Sequence, residues 1–380
     1  MRGVHQETGI DLDTNYFWRD HAMKWLVVVV VTVFSGFVGE IYGDLVYGSD
    51  AGDYYRGFRT GATIGFISVV IEVFYIRSVR RSWIRRVAFL PGLLVRILAL
   101  TVIVRVGLKG NEFLTQYLAG KPLGEGLEIG EELRDTFLSM VIVVFFVVCS
   151  QLSTILGWRR FANLVMGRYF RPTIENRVFL LLDIVDSTPL AAKLGNVRFH
   201  EMLAEFFYQI DRAIVTTGGE VVSYVGDSVI VTWPLSQDRR KNARCIHALI
   251  LMIAHVRRND SYFENEFGVM PAFRAVLHGG EVVVGECGDS RRQVTFLGNV
   301  LNVVGRLEGI GKNENEPLLI TSEIVSRMDS PKGVTFEALG ERSLKGVEDS
   351  VEIYRIRIAG LEPQLHDAAD RLESSMAESA

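Results

Sequence analysis

The strongest constraint on the fold of this chain is a run of 23 residues, 136–158, that contains no charged side chain. A transmembrane helix needs about 20 consecutive apolar residues, so this run is long enough to cross a bilayer. Three more apolar stretches precede it, at 25–42, 57–76 and 87–104, and 48 % of the whole chain is hydrophobic. The sequence therefore predicts a transmembrane domain of four helices over residues 25–157.

Charges in the connecting loops predict how these helices are oriented. The loop at 77–86 carries five arginines and no acid, whereas 107–135 carries six acids and three bases. Because arginine-rich loops stay in the cytoplasm, we expect residues 1–24 and everything after 157 to be cytoplasmic. The sequence thus predicts a multi-pass protein of the cell (inner) membrane.

Glu72 and Arg96 fall inside predicted spans, where a charge either pairs with a neighbouring helix, reaches the interface or serves a function.

The remainder of the chain shows mixed helix and strand patterns. Residues 158–173 have helical spacing and predict a coupling helix, 174–360 form a separate domain, and 361–380 are polar and predict a flexible tail. Strands are predicted at "RVFLLLDIV", "RRQVTFLG", 317–320 and 351–356. Helices are predicted at 188–217, with a break at Gly195 and Asn196, and at 238–258 and 299–312. "GGEVVSYVGDSVIVTW" predicts one hairpin, and "AFRAVLHGGEVVVGE" predicts another that turns at Gly279 and Gly280. This pattern indicates an α+β domain with a mostly antiparallel sheet.

Two carboxylates stand out in this domain. Asp183 ends an apolar strand, and Asp227 follows 44 residues later in the first hairpin. A carboxylate at such a position is costly to bury unless it is paired or binds a metal. Two of them at neighbouring strand ends would suit Mg²⁺, which prefers oxygen ligands. For Asp183 alone, a helix cap is the simpler interpretation, because "DSTP" also reads as a helix start.

Two further segments could bind a phosphorylated substrate. "DIVDSTPLAAKLG" predicts a strand, a turn and a helix whose N-terminal N–H groups could face an anion. In "TFLGNVLNVVGRLEG", Asn302 and Arg306 are four residues apart and share one helix face. An arginine there could stabilise charge on a phosphoryl group, although a solvated helix face is the simpler interpretation for such a pair in isolation.

Taken in order, these segments resemble the catalytic domain of the class III nucleotidyl cyclases, the adenylate and guanylate cyclases. The resemblance covers residues 177–354 and depends on "FLLLDIVDSTPL", "YVGDSVIVTW", "VLHGGEVVVGECG", "FLGNVLNVVGRLE" and "LKGVEDSVEIY". It implies a ferredoxin-like βαββαβ domain that pairs head to tail into a homodimer with two shared active sites. One cyclase domain after four spans looks like a membrane-anchored bacterial member of the family.

The resemblance also implies an activity, the conversion of ATP to 3′,5′-cyclic AMP and pyrophosphate, with two Mg²⁺ ions per site that Mn²⁺ can replace. The residues it implies fall into four groups: metal ligands Asp183, Ile184 and Asp227; phosphate-binding residues Ser187, Thr188 and Lys345; catalytic residues Asn302 and Arg306; and base-binding residues Ser223 and Thr295.

Base choice is the least determined of these roles. Members specific for ATP usually have a lysine where this chain has Ser223, and guanylate cyclases have Glu and Cys where it has Ser223 and Thr295. A hydroxyl can accept a hydrogen bond from the adenine N6 amino group or donate one to N1. We therefore expect ATP to be preferred over GTP, with weak selectivity. A guanylate cyclase and a catalytically silent nucleotide-binding membrane receptor are the alternatives.

The expected partners are ATP, a second copy of the chain, the lipid bilayer and an unidentified ligand or membrane partner of the transmembrane domain. Nucleic acid is not among them, because the chain has no basic patch with interleaved aromatic residues.

Overall fold

The computed structural model describes residues 15–47, 56–71, 89–118, 129–156, 167, 169, 171–289, 293–346 and 350–360. They form two compact units that divide near residue 161. Glu72, most of the predicted coupling helix and the predicted flexible tail at 361–380 lie outside the described residues.

The N-terminal unit is helical, with one helix in each predicted span: α1 (Asn15–Tyr47), α2 (Arg56–Val70), α3 (Phe89–Leu118) and α4 (Ile129–Leu156). Ile64, Leu100, Val104, Val143 and Val147 form its buried apolar cluster. Among the described residues, one stretch, Pro91–Gly110 in α3, is long and apolar enough to cross a membrane. The other apolar helical stretches are shorter, at Val28–Tyr42, Gly57–Val70 and Ser139–Leu152.

The C-terminal unit alternates strands and helices along the chain. Its strands are β1 (Thr173–Ile184), β2 (Glu220–Val225), β3 (Ser228–Pro234), β4 (Phe273–Cys287), β5 (Gln293–Leu297), β6 (Leu318–Thr321), β7 (Val334–Arg342) and β8 (Val351–Ile358). Its helices are α5 (Ser187–Leu194), α6 (Asn196–Thr216), α7 (Arg239–Asn242), α8 (Arg244–Arg258), α9 (Asp260–Phe267), α10 (Asn299–Asn313) and α11 (Ser322–Val325).

One sheet organises this unit. Its strand order is β2-β3-β1-β4-β6-β8-β7, with β5 paired to the C-terminal half of β4. The β4–β6 pairing is parallel and the other described pairings are antiparallel, so the predicted antiparallel-rich α+β fold is confirmed.

Successive side chains of a strand point to opposite faces of the sheet. Apolar residues of the strands point to both faces, and helices cover both. Leu180 and Leu182 of β1 face the larger core with Phe206 of α6 and Leu249 of α8. Phe179 points to the opposite face, where it packs with residues of α10. The apolar run in β1 is therefore buried on both sides, as expected for a central strand.

The predicted second hairpin is wrong. Residues 273–287 form one continuous strand, β4, in which Gly279 pairs with Val178 and Gly280 with Arg177. The two glycines serve close packing: a Cβ on Gly279 would lie 2.2 Å from Cδ1 of Ile324, and one on Gly280 would lie 2.9 Å from Cγ2 of Val300. Two adjacent glycines indicate a turn locally, but here α11 and α10 approach the strand too closely for side chains.

Three other differences concern local structure. The helix α9 and the edge strand β7 were not predicted from the sequence. In the predicted coupling helix, the described Gly167 and Tyr169 lie in turns and Arg171 in a bend, and Gly167 has a φ of 64°. That left-handed backbone is incompatible with a continuous helix at this point.

Candidate active site

The two predicted metal-binding aspartates lie side by side. Asp183 on β1 pairs with Ser228 on β3, and Asp227 precedes Ser228 in the β2–β3 turn. Gly226 occupies this turn with a φ of 61°, a backbone that favours glycine. The Ser228 hydroxyl donates a hydrogen bond of 2.5 Å to Oδ1 of Asp183. Antiparallel pairing thus brings together two carboxylates that are 44 residues apart in the chain.

The environment of Asp183 is unfavourable for a lone negative charge. Burial raises the pKa of its carboxyl, and the nearby charges of Asp227 and Glu308 raise it further, while the Ser228 hydroxyl lowers it. A divalent cation between Asp183 and Asp227 would offset this repulsion. Over the described residues, no group of three or more His, Cys, Asp or Glu side chains is arranged to hold a metal ion. Two carboxylates nevertheless fit Mg²⁺, which usually keeps waters and substrate phosphates as its remaining ligands.

The segment after Asp183 provides backbone groups. Ile184 ends β1 with its side chain buried, so its carbonyl is the group that could reach a metal. Helix α5 begins at Ser187, as predicted, and Asp186 before it has a left-handed backbone (φ 52°, ψ 39°). Ser187 and exposed Thr188 thus lie in the first turn of α5, where backbone N–H groups lack helical partners.

The predicted catalytic pair lies on the solvent face of α10. Asn302 and Arg306 are exposed, whereas Val303, Val304 and Leu307 of the same helix are buried against the sheet. The amphipathic pattern therefore fixes the direction in which the pair points. Within the described residues, no hydrogen bond or ion pair joins Asn302 or Arg306 to Asp183 or Asp227.

The remaining predicted residues are spread over the unit. Ser223 lies half-buried on β2, at a bulge between Val221 and Ser223, and pairs with Ile230. Thr295 lies half-buried on β5, opposite Gly285 of β4. Lys345 is exposed in a turn that continues into Gly346, where φ is 81°.

Asp183 and Thr295 pair with residues near opposite ends of the same strand, β4. Asp183 pairs with Arg274 near the start of β4, and Thr295 pairs with Gly285 near its end. The eleven residue steps from Arg274 to Gly285 correspond to roughly 36 Å of strand at about 3.3 Å per residue. One chain therefore does not place the two aspartates next to Thr295.

Two residues near the site were missed by sequence reasoning. The negative charge of Glu308 raises the pKa of Asp183. Its position two residues after Arg306 could have pointed to it in the sequence. The Thr295 hydroxyl lies 3.2 Å from Sγ of Cys287, which carried no signal in the sequence because eight residues separate the two.

Comparison with known proteins identifies the family of the C-terminal domain. The family described as the adenylate and guanylate cyclase catalytic domain matches residues 171–357. "Adenylate cyclase 2" of Rhizobium meliloti (strain 1021) is 30 % identical over 342 residues, which cover 87 % of this chain and 89 % of that protein. "Adenylate cyclase 1" of the same strain is 28 % identical over 182 residues, 47 % of this chain and 27 % of that protein.

Among solved structures, a bacterial light-regulated adenylyl cyclase has a TM-score of 0.51 at 19 % identity, over 66 % of this chain and 72 % of that one, which shows a shared fold. The chain belongs to the adenylate and guanylate cyclase family, the class III nucleotidyl cyclases. Its similarity to "Adenylate cyclase 2" is not confined to the catalytic domain, because 342 aligned residues extend well beyond 171–357.

Proposed function

We propose that this protein is a membrane-bound adenylate cyclase that converts ATP to 3′,5′-cyclic AMP and pyrophosphate at sites shared between two copies of the chain. The observation that carries the proposal is the pair Asp183 and Asp227, brought together by strand pairing beside the hydroxyl of Ser228. Adenylate cyclase activity is also what the names of the two relatives described above state for those proteins.

The described groups suit each part of the reaction. Asp183, Asp227 and the Ile184 carbonyl would hold two Mg²⁺ ions, or Mn²⁺ in their place. Bound there, such ions would lower the pKa of the ribose 3′-hydroxyl and neutralise triphosphate charge. In the reaction, the 3′-oxygen forms a bond to the α-phosphorus, the bond to the β-phosphate oxygen breaks, and the hydroxyl proton is released.

The protein's own side chains supply positioning and charge. Arg306 stabilises negative charge that develops on the α-phosphoryl group, and Asn302 orients the ribose. Lys345, together with Ser187 and Thr188 in the first turn of α5, holds the phosphates. All these groups except Ser187 are exposed, as is required of residues that reach a substrate at a subunit interface.

Geometry supports a homodimer. Asp183 lies beside the start of β4 and Thr295 lies beside its end, and no described hydrogen bond or ion pair joins the aspartates to Arg306. A second copy placed head to tail would bring its base-binding and catalytic residues to the first copy's aspartates. Such a two-fold arrangement creates two equivalent sites.

Mixing two inactive variants tests this arrangement. Asp227→Ala and Arg306→Ala each remove one half of the shared site. In a mixture, half of the randomly paired dimers carry one intact site, so about a quarter of wild-type activity should return. Each variant alone is the matched control. A mixture as inactive as the separate variants would show that each site lies within one chain.

Activity and base choice are tested together with the purified chain in detergent. We expect cyclic AMP to form in Mg²⁺ and in Mn²⁺, and Asp227→Ala to abolish it. A higher kcat/KM for GTP than for ATP would contradict the adenylate assignment. No product with either metal would favour the silent receptor, a second candidate that Ser223 supports because it replaces the usual base-reading lysine.

Packing in the N-terminal unit supports a membrane location. Large apolar side chains of the helices are exposed, including Leu98 (68 %), Val106 (67 %) and Phe137 (67 %). Water disfavours so much exposed apolar surface, whereas lipid does not. We place the four helices in the cell (inner) membrane as a multi-pass domain, with the cyclase domain in the cytoplasm.

Close contact between α1 and α2 also fits this environment. Gly57, Gly61 and Gly65 repeat every four residues on α2. A Cβ on Gly61 would lie 2.1 Å from the Ser35 carbonyl oxygen, and one on Gly39 would lie 2.3 Å from that of Gly57. Small residues at such spacing allow transmembrane helices to pack closely. Extraction of membranes with alkaline carbonate should leave the chain in the pellet, and its recovery in the supernatant would contradict a multi-pass domain.

The segment 158–173 is proposed to couple the membrane domain to catalysis. Tyr169 is 4 % exposed, packs in the core beneath α10, and its carbonyl accepts a hydrogen bond of 3.1 Å from the Glu286 N–H. Its hydroxyl donates to Glu175, which also pairs with buried Arg177. The segment is thus anchored on β4 one residue from Gly285, the partner of Thr295.

A chain that begins at Glu175 tests this coupling, since it lacks the anchor. We expect lower activity or weaker dimerisation. Full activity with unchanged dimerisation would leave the segment as a plain connector. Tyr169→Phe in the full chain, which keeps the ring but not the hydroxyl, separates packing from hydrogen bonding.

A further inference from the structure

The hydrogen bonds of Thr295 determine which atoms it can offer to a nucleotide base. Its hydroxyl can donate a hydrogen bond of 3.2 Å to the Gly285 carbonyl oxygen, and Sγ of Cys287 lies 3.2 Å from the Thr295 hydroxyl oxygen. A hydroxyl has one hydrogen and can accept two hydrogen bonds, a carbonyl can only accept, and a thiol can weakly do both. The geometry allows the Thr295 hydroxyl to donate to either neighbour, but it has one hydrogen. Because a carbonyl cannot donate, both hydrogen bonds form together only when Thr295 donates to Gly285 and the Cys287 thiol donates to Thr295.

We propose that Cys287 is a further specificity-determining residue, which together with the Gly285 carbonyl holds the Thr295 hydroxyl as a hydrogen-bond acceptor. This inference rests on the proposed function, in which Thr295 contacts the base. Held in this way, the hydroxyl retains one lone pair and no hydrogen for a ligand.

An acceptor that faces the substituent at C6 distinguishes the two purines. Adenine carries an amino group at C6, which donates, whereas guanine carries an oxygen there, which accepts. The fixed hydroxyl therefore pairs with adenine and faces the guanine oxygen without a hydrogen between them. A polar group of the site that the wrong substrate leaves unpaired discriminates against that substrate. The pair thus supplies selectivity for ATP that a freely rotating hydroxyl would not.

The position of Cys287 agrees with this role. It lies diagonally across from Thr295 on the neighbouring strand, since Cys287 pairs with Gln293 and Gly285 with Thr295. Its side chain is exposed, whereas Cys245 is fully buried in the core among apolar side chains. Cys287 is therefore within reach of a ligand at Thr295.

Four variants of the full chain test the proposal: Cys287→Ala, which removes the thiol; Cys287→Ser, which keeps a donor; Thr295→Val, which removes the hydroxyl but keeps the shape; and Gln293→Ala, an exposed position on the same hairpin. The measurement is kcat/KM for ATP, for GTP and for purine riboside triphosphate, which is ATP without the 6-amino group.

We expect Cys287→Ala to lower the ATP-to-GTP ratio of kcat/KM about three- to tenfold, and Thr295→Val to lower it at least as much. The change should fall mainly on KM, because base binding is made equally in the ground and transition states. Cys287→Ser should stay within about twofold of wild type, as should Gln293→Ala. The wild type should prefer ATP to purine riboside triphosphate. Thr295→Val should not distinguish the two nucleotides, because removing the hydroxyl or the 6-amino group breaks the same hydrogen bond between them.

An unchanged ratio in Cys287→Ala, or a Thr295→Val variant that still prefers ATP to purine riboside triphosphate, would overturn the proposal. Should the wild type form no cyclic nucleotide, the proposed activity fails and Cys287 is tested by calorimetric titration with the same three nucleotides. There, equal affinities for ATP and purine riboside triphosphate would overturn it, and a preference for ATP that Cys287→Ala weakens would support it.

Discussion

Replacing Gly279 by alanine tests how closely α11 approaches β4. The new Cβ would lie 2.2 Å from Cδ1 of Ile324 and 3.2 Å from the Arg177 carbonyl oxygen. Ordinary carbon–carbon contacts are about 3.5–4.0 Å, so Ile324 would have to retreat by about 1.5 Å. Ile324 is fully buried and has little room to move. The Arg177 carbonyl of β1 keeps the new Cβ from moving away from it. Overpacking of this kind costs about 1–3 kcal/mol.

The expected change is large enough to measure as a melting temperature. For a domain of this size, about 2 kcal/mol lowers Tm by about 4–8 °C. Ile324→Val removes the clashing Cδ1 atom and costs about 1 kcal/mol by itself. Because it relieves the clash, the double variant should melt above Gly279→Ala alone. Thermal unfolding of the detergent-solubilised chain, followed by tryptophan fluorescence, gives all three values.

Gly305→Ala is the matched control, since nothing lies within 4 Å of a Cβ at this helical position. It should raise stability by about 0.5–1 kcal/mol, as alanine does in a helix. If Gly279→Ala left Tm unchanged, or if Ile324→Val lowered Tm equally with and without it, the close approach of α11 to β4 would be refuted.

Three more predictions concern the site and its sheet. Asp227→Asn should reduce kcat about a thousandfold, because metal ligation supplies several kcal/mol of transition-state stabilisation. High Mn²⁺ should restore part of the activity, and activity above a tenth of wild type would contradict the role of Asp227 as a metal ligand. Arg306→Lys should lower kcat about a hundredfold with little change in KM, since lysine lacks the planar guanidinium, and a rise in KM alone would assign Arg306 to binding. Burial lowers the pKa of His278 to about 4, below its ordinary value. Between about pH 6.5 and pH 4 the unfolded chain therefore binds more protons than the folded chain, and the free energy of unfolding falls as the pH falls through that window. From pH 7 to pH 5 the loss is about 2 kcal/mol, and urea unfolding of wild type against His278→Asn should show a smaller pH dependence in the variant.

Local sequence patterns determined most of the helices and strands. The continuous apolar run of β1 predicted a buried strand, and the amphipathic spacing in α10 predicted which face Asn302 and Arg306 share. The edge strand β7 was missed because only Val334 within it is buried, so its sequence lacks an apolar signal. Edge strands are held by backbone pairing more than by burial.

Family resemblance in the sequence selected the site residues, but tertiary structure determined their geometry. Strand register placed Asp183 opposite Ser228 and next to Asp227, and the same register put Thr295 near the far end of β4.

What the sequence alone determined about this protein is its two-part organisation, its α+β class and the identity of its candidate catalytic residues. Only the tertiary structure decided that Gly279 and Gly280 continue a strand, that Tyr169 is anchored on β4 and that Cys287 contacts Thr295. The physical reason is that periodicity records which side of an element is buried. Contacts between elements depend on register and on how closely helices approach the sheet, and no local pattern encodes either.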